Sequence, residues 1–564
     1  MQIFSVAQIG LVILCVVLTA APYGRWLGAL FGDPRGGRWW IERWICRLSA
    51  IDPDAEQSWQ QFAYSALYFN GAGVLASYAL MRCQALLPLN PAGLPAVAPD
   101  LAFNTAISFS VNADWQAYGG ETTMSYFTQM AALTVQNFTC AATGIAVLAA
   151  FVRGLSRRSA GTVGNFYADT IRAIFLVLLP LAVLYGLFLV WQGVPQNLDP
   201  YRDAVTLEGG AQQIAQGPVA SQDAMKVLGT NGGGFFNANS AHPYEAPNPL
   251  VNALQCWAML FLPASLVFAF GHMVGDRRQG RALFSVMTVL LVGGLLFATW
   301  VESRGNPLIG ALGVESGGNM EGKEVRFGTA GSALFEMVTT ATGTGAANAS
   351  LDSFTPLGGM MAMLNLMSKE VIFGGVGSGL HGMLVEAMIA VFLAGLMVGR
   401  TPEFVGKKIG VGEMKLVVVI TLVPIITILV LGALTLILPA GLASITAAGP
   451  HGLSQALYAY LSTAVNNGSA FGGFGAGTVY QNCMLGLALF TGRFLVMVPT
   501  LALAGRLAGL RRTPESSGSL PTHGAFFMGF LLTTIMIVGA LTFFPVLALG
   551  PLAEHFVLEA GVSF

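Results

Sequence analysis

Ten stretches of about twenty mostly apolar residues recur along this chain, and they constrain its fold more than any other feature. A helix must carry about 20 consecutive apolar residues to cross the hydrocarbon core of a bilayer. The stretches run at 4–22, 62–81, 130–152, 173–192, 250–275, 282–301, 371–399, 416–438, 482–505 and 525–548. Glu386 and Arg493 are the charges that stand out inside them. The expected fold class is therefore all-α and integral to a membrane, with ten transmembrane helices.

Composition agrees. Of 564 residues, 54% are hydrophobic and 10% charged, against about 25% charged in soluble domains. The formal net charge of −1 gives no global field that would draw nucleic acid. The first stretch is expected to be a retained span and not a secretory leader, because its positive charges follow it from Arg25 onward, whereas a leader begins with them. Cys15, Cys46, Cys83, Cys140, Cys256 and Cys483 are scattered without a CxxC pair and read as small core residues.

Basic residues set the orientation. The connections after the first, third, fifth, seventh and ninth stretches hold 19 of the 27 Lys and Arg. That side is expected to be cytoplasmic, which puts both termini outside.

The outward connections repeat a pattern. Each carries a short helix, expected at 104–110, 220–228, 331–341 and 453–464, followed by a Gly/Asn/Thr cluster. The clusters are Ser110–Asp114, Gly229–Gly233, Thr342–Ala346 and Val465–Ser469. Aligned in this way, their fourth column reads Ala113, Gly232, Gly345 and Gly468. One such cluster is ordinarily a turn; four at the same place in four units are not. Non-helical backbone at membrane depth must be buried in protein or line a water-filled path. Four loops around one axis present rings of carbonyls that replace the hydration shell of a monovalent cation. The expected organisation is four span–pore-loop–span units at 62–152, 173–275, 282–399 and 416–505. One further span lies at each end, within 1–61 and 525–564.

The strings Asn104-Thr-Ala-Ile-Ser-Phe, Trp115-Gln116, Gly120-Glu-Thr-Thr-Met-Ser-Tyr-Phe and Gly229-Thr-Asn-Gly-Gly-Gly-Phe-Phe-Asn-Ala-Asn resemble the A subunits of Kdp-type potassium-transporting ATPases. So do Ser240-Ala-His-Pro-Tyr-Glu, Thr340-Ala-Thr-Gly-Thr-Gly-Ala-Ala-Asn, Gly399-Arg-Thr-Pro-Glu and Asn467-Gly-Ser-Ala-Phe. The resemblance covers essentially the whole chain. It implies a fold related to potassium channels and Trk/Ktr/HKT transporters. It also implies a bacterial inner-membrane complex with a P-type ATPase B subunit (KdpB), a single-span C subunit (KdpC) and a small F peptide (KdpF). Potassium would be the transported ion, passed from a filter in this chain to the B subunit, and ATP would be used by that partner. No organic cofactor and no transition-metal site are expected.

The residues expected to form the filter are Asn112, Ala113, Asp114, Gln116, Thr230, Asn231, Gly232, Gly233, Thr344, Gly345, Asn466, Asn467 and Gly468. Ala113 departs from glycine in its column, and Asp114 adds a carboxylate expected to concentrate cations at the entrance. Gln116 resembles the family's filter-mouth glutamine, which either meets the ion or braces the loop. The glycine-rich run from Gly358 to Gly379, with Lys369, Glu370, Gly374 and Gly375, reads as a broken helix below the filter, since each glycine costs a helix about 1 kcal/mol. Arg493, in the middle of a span, needs a partner; Glu370 is expected to supply it as a structural ion pair. Arg400 either anchors its span or touches the ATPase subunit.

The chain itself carries no aspartyl-phosphate motif and no cytoplasmic loop large enough for a nucleotide domain. Gly317–Lys323 mimics a phosphate loop, but Glu324 stands where Ser or Thr is required. Energy must come from a partner. A stand-alone potassium channel or transporter is the alternative, and a scaffold whose repeats merely pack is a third reading.

Overall fold

The computed structural model describes residues 3–32, 39–314, 317–369, 371–513 and 520–562. Long helices dominate, and two small hairpins (Arg202–Val205 with Ala211–Ile214, and Glu403–Phe404 with Lys407–Lys408) sit in connections. Among the described residues, nine helices are long and apolar enough to cross a membrane. The expected second span falls on the helix Trp59–Cys83, which is long enough but diluted by Gln60, Gln61, Asn70 and Ser77. A capping box starts it: Gln61 N–H donates to Ser58 Oγ, and Ser58 N–H donates back to Gln61 Oε1.

Burial separates centre from periphery. The apolar stretch of Tyr126–Ser156 is 89% buried, while those of the first and last long helices are 28% buried. The first helix runs on to Gly32, so Arg25 is helical and does not belong to a loop. It docks on Pro249–Met273 through Gly24 and Gly28. A methyl at Gly24 would sit 2.3 Å from Ser265 O, and one at Gly28 would sit 2.7 Å from His272 Cβ. Small residues allow helices to approach closely where lipid removes the hydrophobic drive.

Two arginines assigned to basic loops are instead buried. Arg153 chelates Asp169 with bonds of 2.5 and 2.8 Å and also donates to Phe31 O at the end of the first helix. Arg172 pairs with Glu42 at 2.8 Å. Lys407 donates to Arg157 O, Leu507 O and Leu510 O, and so caps the ends of two long helices. Of the six cysteines read as core residues, Cys46, Cys140 and Cys256 are buried, but Cys83 and Cys483 are exposed.

His451 ties the tail of the last helix to a loop. Its Nε2 lies 3.0 Å from Asp352 Oδ1 and its Nδ1 lies 2.9 Å from Glu554 Oε1. Hydrogen bonds to Asp352 and then to Glu554 push its pKa up to about 10. A histidine raised in the folded state stabilises fully below its unfolded pKa, and the gain fades as pH rises through the folded value. His451→Gln is expected to cost about 1–2 kcal/mol at pH 6 and almost nothing above pH 10, read as thermal unfolding across that range. A pH-independent difference would contradict the clamp.

The glycine-rich run is broken, but over a narrower stretch than expected. The helix Pro356–Met367 continues through Gly358 and Gly359, and the next helix begins at Ser378. Between them the chain turns back at Lys369, Phe373 and Gly377, all with positive φ.

Candidate functional site

Four short helices, Pro99–Ser110, Val219–Leu228, Gly328–Ala341 and Gly449–Ala464, match the expected ones at their C-terminal ends. They start earlier than expected, two of them with proline in the first turn, where its missing N–H is harmless. Beyond each C-terminal end the backbone does the same thing. Two successive N–H groups fold back onto one carbonyl or its neighbourhood. Ala113 and Asp114 donate to Ser108 O; Asn231 and Gly232 donate to Lys226 O; Thr344 and Gly345 donate to Thr339 O; Asn467 donates to Ser462 O and Gly468 to Ser462 Oγ.

This geometry shifts the first loop by one residue against the sequence alignment. The helix caps are Val111, Gly229, Thr342 and Val465. Asp114, with φ 48°, therefore occupies the column of Gly232, Gly345 and Gly468, whose φ values are 76°, 80° and 100°. Ala113 aligns with Asn231, Thr344 and Asn467. The departure from glycine is an aspartate in left-handed backbone, one of the few side chains that tolerates it. The sequence alignment missed this because it counted the cluster from Ser110, the last helical residue.

The loops close on one another in order. A methyl at Gly232 would lie 1.8 Å from Thr344 O, one at Gly345 would lie 1.9 Å from Asn467 O, and one at Gly468 would lie 1.8 Å from Ala113 O. At three junctions, then, the backbone of one loop meets the carbonyl of the next with no room for a side chain. The junction between the first and second loops is made by side chains. Asn112 Nδ2 donates to Thr230 O (2.7 Å), and Asn231 Nδ2 donates to Asn112 Oδ1 (2.7 Å). Gln116 donates to Gly234 O and accepts from Gly234 N–H, at 3.0 and 2.9 Å. Its amide is spent on bracing the loops. Gly233 lies at the same junction, 3.0 Å from Asp114 Cβ for an added methyl. Asn466 Nδ2 donates to Leu489 O at 3.2 Å.

Buried polar residues of three short helices hold the chain beyond the second, third and fourth loops, and sequence reasoning passed over them. Lys226, 1% exposed, donates to Asp223, Glu245, Asn239 Oδ1 and Ser240 Oγ. Asn239 in turn donates to Gly233 O, and Glu245 Oε1 accepts from Phe236 N–H. Glu336 Oε1 accepts from the N–H groups of Asn348 and Ala349 at 2.9 and 3.2 Å. Gln455 accepts from Thr446 N–H and donates to Gly472 O. For Lys226 and Glu336 the available signal was a charge inside a short helix whose neighbours are mostly apolar, since a buried charge needs partners.

Beneath the second loop lies the turn between the two half-helices. Val371, Phe373, Gly374, Gly375 and Val376 are buried, and Val376 N–H donates to Thr230 Oγ1 at 2.8 Å. Gly377 presses on the helix Tyr126–Ser156, where its own methyl would lie 2.1 Å from Gly144 O. Beside the turn is a cavity of about 90 Å³ whose lining includes Lys369, Glu386, Asn466 and Arg493. Arg493 Nη2 donates to Cys140 O at 3.3 Å. Glu370, the partner expected for Arg493, lies outside the described residues. Arg400 is exposed just past the helix end at Val398 and does not line this cavity.

Comparison with known proteins follows the same lines. The sequence profile of the family described as "Potassium-transporting ATPase A subunit" matches residues 10–556. A potassium-transporting ATPase potassium-binding subunit of Rhodospirillum centenum is 59% identical over 525 residues, covering 93% of this chain and 92% of the relative. Those of Paramagnetospirillum magneticum and Rhodopseudomonas palustris are 53% and 51% identical and cover 98% and 99% of both chains. The solved potassium transporter TrkH from Vibrio parahaemolyticus has a similar fold, with a TM-score of 0.51 at 15% identity over 88% of this chain and 98% of that one.

Proposed function

The chain belongs to the potassium-transporting ATPase A subunit family, and we propose that its four closed loops are the filter through which it selects K⁺. It is the potassium-binding subunit of a potassium-transporting ATPase and not the subunit that hydrolyses ATP. The observation that carries the filter assignment is the ring of glycine-to-carbonyl contacts at Gly232, Gly345 and Gly468. Carbonyls held in a closed ring by neighbouring backbones cannot collapse onto a smaller ion, and they replace the water that a potassium ion sheds. The C-terminal ends of the four short helices face the ring and add negative potential there.

In this reading the protein has ten spans, with Trp59–Cys83 as the second. The four units at 62–152, 173–275, 282–399 and 416–505 surround the filter, and the first and last spans are peripheral. The basic face is cytoplasmic, both termini are periplasmic, and the membrane is the bacterial inner membrane. Potassium enters from the periplasm through the ring and meets the turn at 371–377. That turn is tied to Thr230 and wedged against Gly144, so it blocks straight passage. The ion moves sideways into the cavity at Lys369, Glu386 and Arg493 and on to the B subunit, with the C and F subunits completing the complex. Arg400, exposed on the cytoplasmic side, is a contact for the B subunit. The blocking turn also weighs against a stand-alone channel.

The test uses the purified complex. K⁺ and Rb⁺ are expected to stimulate ATP hydrolysis, and Na⁺ and Li⁺ are expected to leave it near its basal rate at the same concentration. Equal stimulation by Na⁺ would overturn the filter assignment.

A further inference from the structure

Three of the four ring positions are glycines, and the fourth is Asp114. The sequence suggested a carboxylate at the outer entrance, where it would gather cations from solution. The structure puts it elsewhere: Asp114 is 1% exposed and packs within the ring itself, against Gly233 of the second loop. Among the described residues its carboxylate meets the side-chain amide of Asn137, a neutral group, and no cation lies in ion-pair contact with it. The charged network of Lys226, Asp223 and Glu245 belongs to the second short helix, and there Lys226 is already engaged by two carboxylates.

A buried carboxylate without an ion-pair partner is costly unless a cation compensates it. Placing it in left-handed backbone adds to that cost, since a glycine would fit there freely. The other three loops use glycine at this column. Resting on the filter assignment above, we propose that the side chain of Asp114 is a fixed anionic determinant of cation affinity in this filter. It acts on the ion through space from within the ring, so that the bound cation supplies the positive charge the protein withholds. The filter is therefore electrostatically lopsided, with its attraction centred on the first loop.

The charge of the ion separates this role from a structural one. Ba²⁺ is close to K⁺ in size and carries twice the charge, and the Coulomb energy scales with that charge. In the purified complex, Asp114→Asn is expected to raise the half-stimulating K⁺ concentration about tenfold and the inhibition constant of Ba²⁺ about a hundredfold. Asp114→Gly, which makes all four columns alike, is a second neutral variant and is expected to shift both constants in the same directions. Assembly is read by copurification with the ATPase subunit. If the neutral variants leave both constants unchanged, or shift K⁺ and Ba²⁺ by the same factor, the proposal is wrong. A K⁺ constant that does not move with Asp114→Asn but does move with Gly345→Ala removes the charge effect and keeps the filter. If neither variant moves it, the filter assignment falls as well.

Discussion

Replacing Gly345 with alanine is expected to raise the K⁺ concentration for half-maximal ATP hydrolysis by the complex roughly 5- to 100-fold, and to let Na⁺ stimulate. The added methyl would stand 1.9 Å from Asn467 O and 3.0 Å from Ser469 N. Both are backbone atoms, which cannot swing aside as the end of a flexible side chain can. At φ 80° alanine is also strained by about 1–2 kcal/mol. Overpacking of this kind costs about 1–3 kcal/mol, and 1.4 kcal/mol is tenfold in affinity. The third and fourth loops must part, which opens the ring at one junction and relaxes its discrimination by size. Gly232→Ala and Gly468→Ala are expected to act alike at their own junctions. Gly293→Ala is the control, because a methyl there would meet nothing within 4 Å. Gly345→Ala assembling normally with unaltered affinity and selectivity would place the filter elsewhere.

The second large effect is expected at Lys226. Its ammonium is buried among Asp223, Glu245, Asn239 and Ser240, and its backbone carbonyl receives the N–H groups of Asn231 and Gly232. Lys226→Met keeps the length of the side chain but leaves two carboxylates facing each other without a counter-charge. Breaking a buried pair from one side costs about 3–5 kcal/mol. Because Asn239 and Glu245 hold Gly233 O and Phe236 N–H, the second loop loses its support together with its charge balance. The expected result is a lower unfolding temperature of the complex and weaker K⁺ affinity. Lys226→Met/Glu245→Gln should recover part of the stability, since it removes one of the stranded charges. Equal unfolding temperatures for wild type and Lys226→Met would show that the network contributes nothing to the fold.

Much of this architecture was legible in the chain because membrane burial writes itself in composition. A lipid-facing helix has to be apolar for about 20 residues, so the spans could be read without knowing any contact. The C-terminal ends of the four short helices were legible too, since Gly, Asn and Thr clusters stop helices for local reasons. What could not be read was register. Asp114, and not Ala113, shares the column of Gly232, and that follows only from which N–H groups fold back onto Ser108 O. A one-residue choice of this kind has no signature in periodicity. Similarly, Gly358 and Gly359 looked like part of the break but are helical, and glycine at 358 serves close packing instead: a methyl there would lie 2.3 Å from Glu302 Oε1.

The amino-acid sequence by itself determined that the chain belongs in a membrane, where most of its long helices run, and where four short helices end in Gly/Asn/Thr clusters. These properties depend on local chemistry: apolar length and helix stop signals. Only the tertiary structure decided how the loops meet. The contacts of Gly232 with Thr344 O, Gly345 with Asn467 O and Gly468 with Ala113 O join residues more than a hundred positions apart. So do the bonds from Arg153 to Phe31 O and from Val376 to Thr230. Such contacts are set by packing in three dimensions, and packing is a property of the whole fold.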